Sequence, residues 1–116
     1  MAVQEAIISV TLPAGADLRT HQFKFVSVDA NGAVVLTDND AKAQGVLQNA
    51  PNTGEAATIA ISGRVKVACG AGVTRGGDIA SGANGAGKNA GTASEVLGTA
   101  LETGANGRII SILLGR

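Results

Sequence analysis

Aromatic side chains are nearly absent. The 116 residues include no tryptophan and no tyrosine, and the aromatic fraction of 2% is Phe23 and Phe25 alone. Single-strand nucleic-acid binders stack bases on aromatic rings, and most small-molecule pockets and tight interfaces are anchored by them, so those classes are disfavoured. Cysteine is limited to Cys69 and histidine to His21, which excludes an internal disulfide framework and any multi-cysteine or multi-histidine metal site. Charge of one sign is lacking too: Lys and Arg total 9, Asp and Glu total 9. No basic face is left over to neutralise phosphates. No apolar run approaches the roughly 20 residues that cross a bilayer as a helix. The N-terminal stretch MAVQEAIISVTLPAGA carries Glu5 where a signal peptide carries Lys or Arg. The expectation is a chain made in the cytoplasm, with no nucleic-acid partner, no membrane partner, no cofactor, no metal and no enzymatic role.

What is present is glycine, 17 residues, and aliphatic side chains within a hydrophobic fraction of 45%. Alternation with period two dominates their spacing, the signature of half-buried strands. Ile8, Val10 and Leu12 share one face of Ala6–Leu12, opposite Ser9 and Thr11. Phe23–Val28 leads into Asp29-Ala30-Asn31-Gly32 and then Val34–Leu36; an Asn-Gly pair between apolar runs is a strong hairpin signal. Gly45-Val46-Leu47 is a short strand and Pro51-Asn52-Thr53-Gly54 a turn. From Ile59 to Cys69 the odd positions are apolar around Gly63, which predicts one long strand bent or bulged there, with Arg64 and Lys66 facing solvent. Glu95–Leu101 and Arg108–Leu114 close the chain, joined by Gly104-Ala105-Asn106-Gly107. The last strand is apolar on both faces, which predicts burial on both sides, inside the domain or against another chain. Gly70–Gly91, rich in Gly, Ala and Asn, reads as a loop with little to build a core from. Helix signals are thin: a single turn at Asp40–Gln44 and a capping-box pattern at Thr92–Glu95.

Several residues recur at a fixed offset. Gly32 and Gly85, Gly45 and Gly98, and Gly54 and Gly107 all stand 53 positions apart, as do Asn31 and Asn84, Ile59 and Ile112, and Ile61 and Leu114. Glycine alone matches often by chance, but agreement among several residue types points to an internal duplication whose two units bury each other's apolar faces. The fold class that follows is all-β with short helical turns at most, a compact single domain of sandwich or barrel-like form.

Motifs for chemistry fail on inspection. Gly82-Ala-Asn-Gly-Ala-Gly87-Lys88-Asn89 imitates a phosphate-binding loop but has Asn89 in place of the Mg²⁺-binding hydroxyl, and no strand–helix context. The Gly85-Ala-Gly87-Lys-Asn-Ala90 stretch lacks the βαβ unit of a dinucleotide site. His21 has nothing nearby to orient it as a base, and Cys69 in an alternating apolar row reads as a small core residue. Asp38-Asn39-Asp40 offers too few oxygens for a calcium loop. Assembly is the remaining positive theme: Met1–Gln4 forms a free end able to add to another sheet edge.

The order GVLQNAPNTGEAATIAISGRVKVACGAGVTRGGDI, a Gly/Ala/Asn stretch, then VLGTALETGANGRIISILLG resembles the head decoration, or capsid cement, proteins of tailed phages, over roughly Phe23 to the end. The resemblance implies a β-rich homotrimer on the outer surface of the mature head. There it would sit at three-fold or quasi-three-fold positions and clamp major capsid subunits against the pressure of packaged DNA. It also implies an arm, Met1 to about Ile8, that touches the shell. Residues 1–12 would then be arm and first strand, and 13–116 the decoration domain. Ala2, Val3, Gln4, Glu5 and Ile7 of the arm, with Arg108, Ile109 and Leu113 of the last strand, are the expected partner-facing residues. A host-binding adhesion or spike module is the competing expectation.

Overall fold

The alternating segments become nine antiparallel strands in one sheet in the computed structural model, which describes residues 5–91 and 95–114, with side chains from Ser9 onward. They are β1 (Glu5–Pro13), β2 (Phe25–Val28), β3 (Val34–Leu36), β4 (Gly45–Leu47), β5 (Ala56–Ala68), β6 (Asp78–Ser81), β7 (Gly87–Asn89), β8 (Gly98–Ala100) and β9 (Ile109–Leu114), with one 3₁₀ turn, η1 (Ala83–Gly85). The strand order is β3-β2-β4-β5-β9-β8-β6-β7, with β1 paired to β5 off this path. The sheet curls into an open half-barrel forming a single all-β domain.

That order is a palindrome about β5 and β9, and the registers repeat. Val26 faces Leu36 and Val28 faces Val34 across β2–β3; 53 residues on, Ile79 faces Asn89 and Ser81 faces Gly87 across β6–β7. Phe25 opposite Val46 becomes Asp78 opposite Thr99, and Val46 opposite Ala60 becomes Thr99 opposite Leu113. The first strand joins the pattern at an offset of 55: Val10–Ile59 and Pro13–Ala56 across β1–β5 recur as Val65–Ile112 and Ala68–Ile109 across β5–β9. The 13-residue β5 therefore serves twice. Its first part ends one five-stranded unit and its second part begins the next. Gly63, at φ 102, sits at the changeover, where β1 and β9 both pair with β5 from opposite edges. Parallel bridges close each unit, Ala14 with Val34 and Cys69 with Gly87.

Each unit wraps its own core. Ala14, Leu18, Val26, Val34, Leu47, Ala57 and Ile59 fill the first; the matching positions Cys69, Val73, Ile79, Ala100, Ile110 and Ile112 fill the second. The second core also takes in Phe25, Val46 and Ala60 from the opposite face of the first unit's strands, which joins the halves. At about 1.5–3 kcal/mol per buried aliphatic side chain, burial of this extent is what holds a sheet without disulfides.

Several expectations are corrected. Gly70–Gly91 is not a featureless loop but holds β6, η1 and β7, with Val73, Ile79, Ala80, Ala86 and Ala90 buried; small residues let backbones approach where large ones would have to pack. The strand expected from Phe23 begins at Phe25 because Phe23 has φ 67. Asp40–Gln44 forms no helical turn, Asp40 being left-handed at φ 59. Thr92–Ser94 of the capping-box pattern lie outside the described residues. Within the chain the last strand buries Ile110, Ser111, Ile112 and Leu114 and leaves Ile109 and Leu113 exposed, so of the two expected forms of two-sided burial the one inside the domain is not met.

Candidate interaction surfaces

The outward row of β9 is the most apolar exposed strip in the described residues. Leu113 is 52% exposed and Ile109 42%, with the nearly buried Ser111 between them. The Ser111 N–H donates to a Glu102 carboxylate oxygen at 2.8 Å. Across β5 the row is flanked by Arg64, Lys66 and Ala68, and across β8 by Thr99. Lys66 and Arg64 are half-buried rather than fully solvated. The Lys66 ammonium lies 5.7 Å from the centroid of the Phe23 ring, within cation–π range.

Phe23 has a left-handed backbone where its counterpart, Gly76, has φ 82. A bulky residue at positive φ carries strain that the surroundings must enforce. Here the enforcement is two-sided: the Phe23 N–H donates to Leu47 O and its carbonyl accepts the Ala68 N–H, both at 2.8 Å. The ring thus reaches the Lys66 ammonium, and the patch becomes Phe23, Ile109 and Leu113 beside Arg64 and Lys66. Of the expected partner-facing residues, Ile109 and Leu113 are exposed on this row, while Arg108 precedes β9 with its side chain beside Gly104. Sequence reading missed Phe23, whose positive φ has no local signal, and gave Arg64 and Lys66 only a solvent-facing role.

The two segments expected to face a partner meet at Arg64, since Glu5 of β1 and Leu113 of β9 pair with it from opposite edges. Ile7 falls at the register shift between Ala6 and Ile8. Ala2, Val3 and Gln4 lie outside the described residues, as do the side chains of Glu5 and Ile7.

The other candidates resolve into structure. Cys69 is buried in the second core, and burial pushes its thiol pKa up, the opposite of an activated nucleophile. His21 sits in the turn before β2 with Nδ1 3.1 Å from Lys24 Nζ, and burial followed by the Lys24 charge lowers its pKa. The phosphate-loop imitation is the β6–β7 hairpin. Lys88 from that hairpin binds Asp40 at 2.6 Å and Asn39 Oδ1 at 3.0 Å, so an ammonium holds the Asp38–Asp40 turn. Both partners are partly solvated, so Lys88→Met is expected to cost only about 0.5–1 kcal/mol in chemical denaturation; a loss of several kcal/mol would show the pair to be a keystone between the halves. No group of three or more potential metal ligands occurs among the described residues, and no helix in them is long and apolar enough to cross a membrane.

No family model and no curated protein sequence matches the chain. Among solved structures it is similar to the N-terminal base of the head fibre gp8.5 of bacteriophage phi29, with TM-score 0.77 and 14% identity, over 93% of each chain.

Proposed function

We propose that the chain is a non-enzymatic structural protein of a phage head, bound to the outer surface of the expanded shell. The observation that carries the reading is a shared fold, over 93% of both chains, with the base of a phage head fibre. The decoration-protein resemblance supports the finer form: a homotrimer at three-fold or quasi-three-fold positions, contacting the major capsid protein and resisting internal DNA pressure. The Arg108–Leu113 row and the arm from Met1 to about Ile8 are the proposed partner-facing elements.

The mechanism is area and avidity. Each subunit contributes one modest contact, and linkage within an oligomer makes the later contacts effectively intramolecular. Selective binding to the expanded shell stabilises that state by mass action. Arginine and aliphatic side chains in alternation suit a protein surface bearing carboxylates around an apolar centre.

Purified protein mixed with compact precursor heads and with expanded shells is expected to co-sediment saturably with the expanded form alone. Deleting Met1–Gln4 is expected to weaken that binding with the folded domain unchanged. Absence of binding to any cognate shell would overturn the reading, and unchanged occupancy after the deletion would remove the arm from it.

A further inference from the structure

Phe23 stands in a place that the repeat fills with glycine. Its counterpart is Gly76, 53 positions on, and the two have similar backbones, φ 67 and φ 82. They also make the same hydrogen bonds. The Phe23 N–H donates to Leu47 O at 2.8 Å, and the Gly76 N–H donates to Ala100 O at 2.8 Å. In the next step the Leu47 N–H donates to Lys24 O at 2.9 Å, as the Ala100 N–H donates to Gly77 O at 3.0 Å. The fold therefore asks this position for a left-handed backbone, which glycine adopts freely. A phenylalanine raises the free energy of the same turn, because its Cβ crowds the following carbonyl oxygen.

Core packing does not account for the ring. Phe23 belongs to neither apolar core, whereas Phe25 is fully buried in the second. These two are the only aromatic residues of the chain, so the half-buried Phe23 carries the one aromatic ring with accessible surface. Its neighbours are those of a contact site. The Phe23 carbonyl accepts the Ala68 N–H at 2.8 Å, and Ala68 pairs with Ile109 across β5–β9, where Ile109 is 42% exposed. The ring centroid lies 5.7 Å from the Lys66 ammonium. An aromatic ring beside an aliphatic side chain is the composition of interface centres. Strained backbone that the surroundings enforce gathers at such binding positions.

We propose that Phe23 is an anchor for the head shell: its ring, presented by the left-handed turn beside Lys66 and Ile109, packs against an apolar side chain of a shell subunit that is flanked by a carboxylate. The carboxylate suits the Lys66 ammonium, whose three donors let it join contacts already made. The inference rests on the head-protein reading and deepens it. To the β9 row it adds a residue from the opposite edge of β5, placed there by the first unit alone. The second unit has Gly76 at the matching turn and presents no ring, so the two halves are not interchangeable towards a shell.

The test compares variants of the full chain with wild type, in co-sedimentation titrations with expanded shells and in thermal melts without them. Phe23→Gly installs the residue that the repeat uses, so relief of strain offsets loss of the ring. Its melting temperature is expected within about 5 °C of wild type, while its shell affinity falls at least about tenfold. A residue that served packing alone would lose stability and affinity together. Phe23→Asn, which also tolerates a left-handed backbone, is expected to do the same and covers the case in which glycine loosens the turn. Gly76→Asn, the matching change in the second unit, is expected to bind shells like wild type. Sedimentation without shells is expected to give one mass for all of them. Shell affinity within about twofold of wild type in both Phe23 variants would overturn the proposal, as would melting about 10 °C or more below wild type in both. So would an equal loss of affinity in Gly76→Asn, or a changed mass without shells, which would assign the ring to a second copy. Wild type that binds no cognate shell overturns the head-protein reading and this inference with it; binding kept by wild type and both Phe23 variants overturns the inference alone.

Discussion

Gly85→Ala is expected to destabilise the domain by about 3–5 kcal/mol, and the same change at Gly32 by only about 1–2 kcal/mol. The two glycines have the same left-handed backbone, φ 77 and 76, so the conformational cost of a methyl group is common to both. Their surroundings differ. A methyl group at Gly85 meets the carbonyl of Phe25, a backbone atom held by β2, whereas one at Gly32 meets open space. The β6–β7 hairpin would have to lift off the first unit to admit it. That movement strains the Asp40 N–H bond to Ser81 O, 2.8 Å, and the Lys88–Asp40 ion pair, 2.6 Å. Urea denaturation of both variants measures the difference directly, with slope unchanged if the denatured state is unaffected. Equal midpoints would mean that the two units do not rest on each other at this turn.

How much of this was legible beforehand depended on whether the signal was local. Asn31-Gly32, Pro51–Gly54 and Asn106-Gly107 carry their turn geometry in their own residues, and alternation from Ile59 to Val67 carries its own face. Those strands emerged within a few residues of their expected ends. The offset of 53 was readable because the turns need glycine at the same places in both units. The matching offset of 55 for β1 was not readable. It rests on hydrogen-bond partners such as Val65 with Ile112, and no residue type is forced by them. The β6–β7 hairpin escaped for a related reason: Ala80, Ala86 and Ala90 are buried by backbone proximity rather than by size, so composition suggested a loop. The exposed patch was half legible. An apolar second face on Ile109–Leu113 is readable from the residues themselves, but Phe23 joins it only through a backbone conformation imposed by Leu47 and Ala68.

Phe25→Ala is the substitution expected to separate packing within a unit from packing between units. Phe25 is the largest fully buried side chain, so truncation should cost about 3–5 kcal/mol. Relaxation offers little relief, because the Phe25 backbone is fixed by pairing with Val46 and lies against Gly85. Against a typical total of about 5–15 kcal/mol for a domain, the variant should be only marginally folded at ordinary temperature. Its repeat counterpart, Asp78, is exposed, so Asp78→Ala should cost no more than about 1 kcal/mol, the range of an exposed polar contact. The form of the transition matters as much as its midpoint. Because β5 supplies the last strand of one unit and the first of the next, neither unit can unravel and leave the other its full set of strands. Phe25→Ala should therefore still unfold in one step, with a lower midpoint and an undiminished denaturant slope. Amide exchange should show β4 and β8 opening with the same free energy. A reduced slope, or β6–β8 exchanging ahead of β2–β4, would show that the side chain and not the shared strand is what couples the two halves.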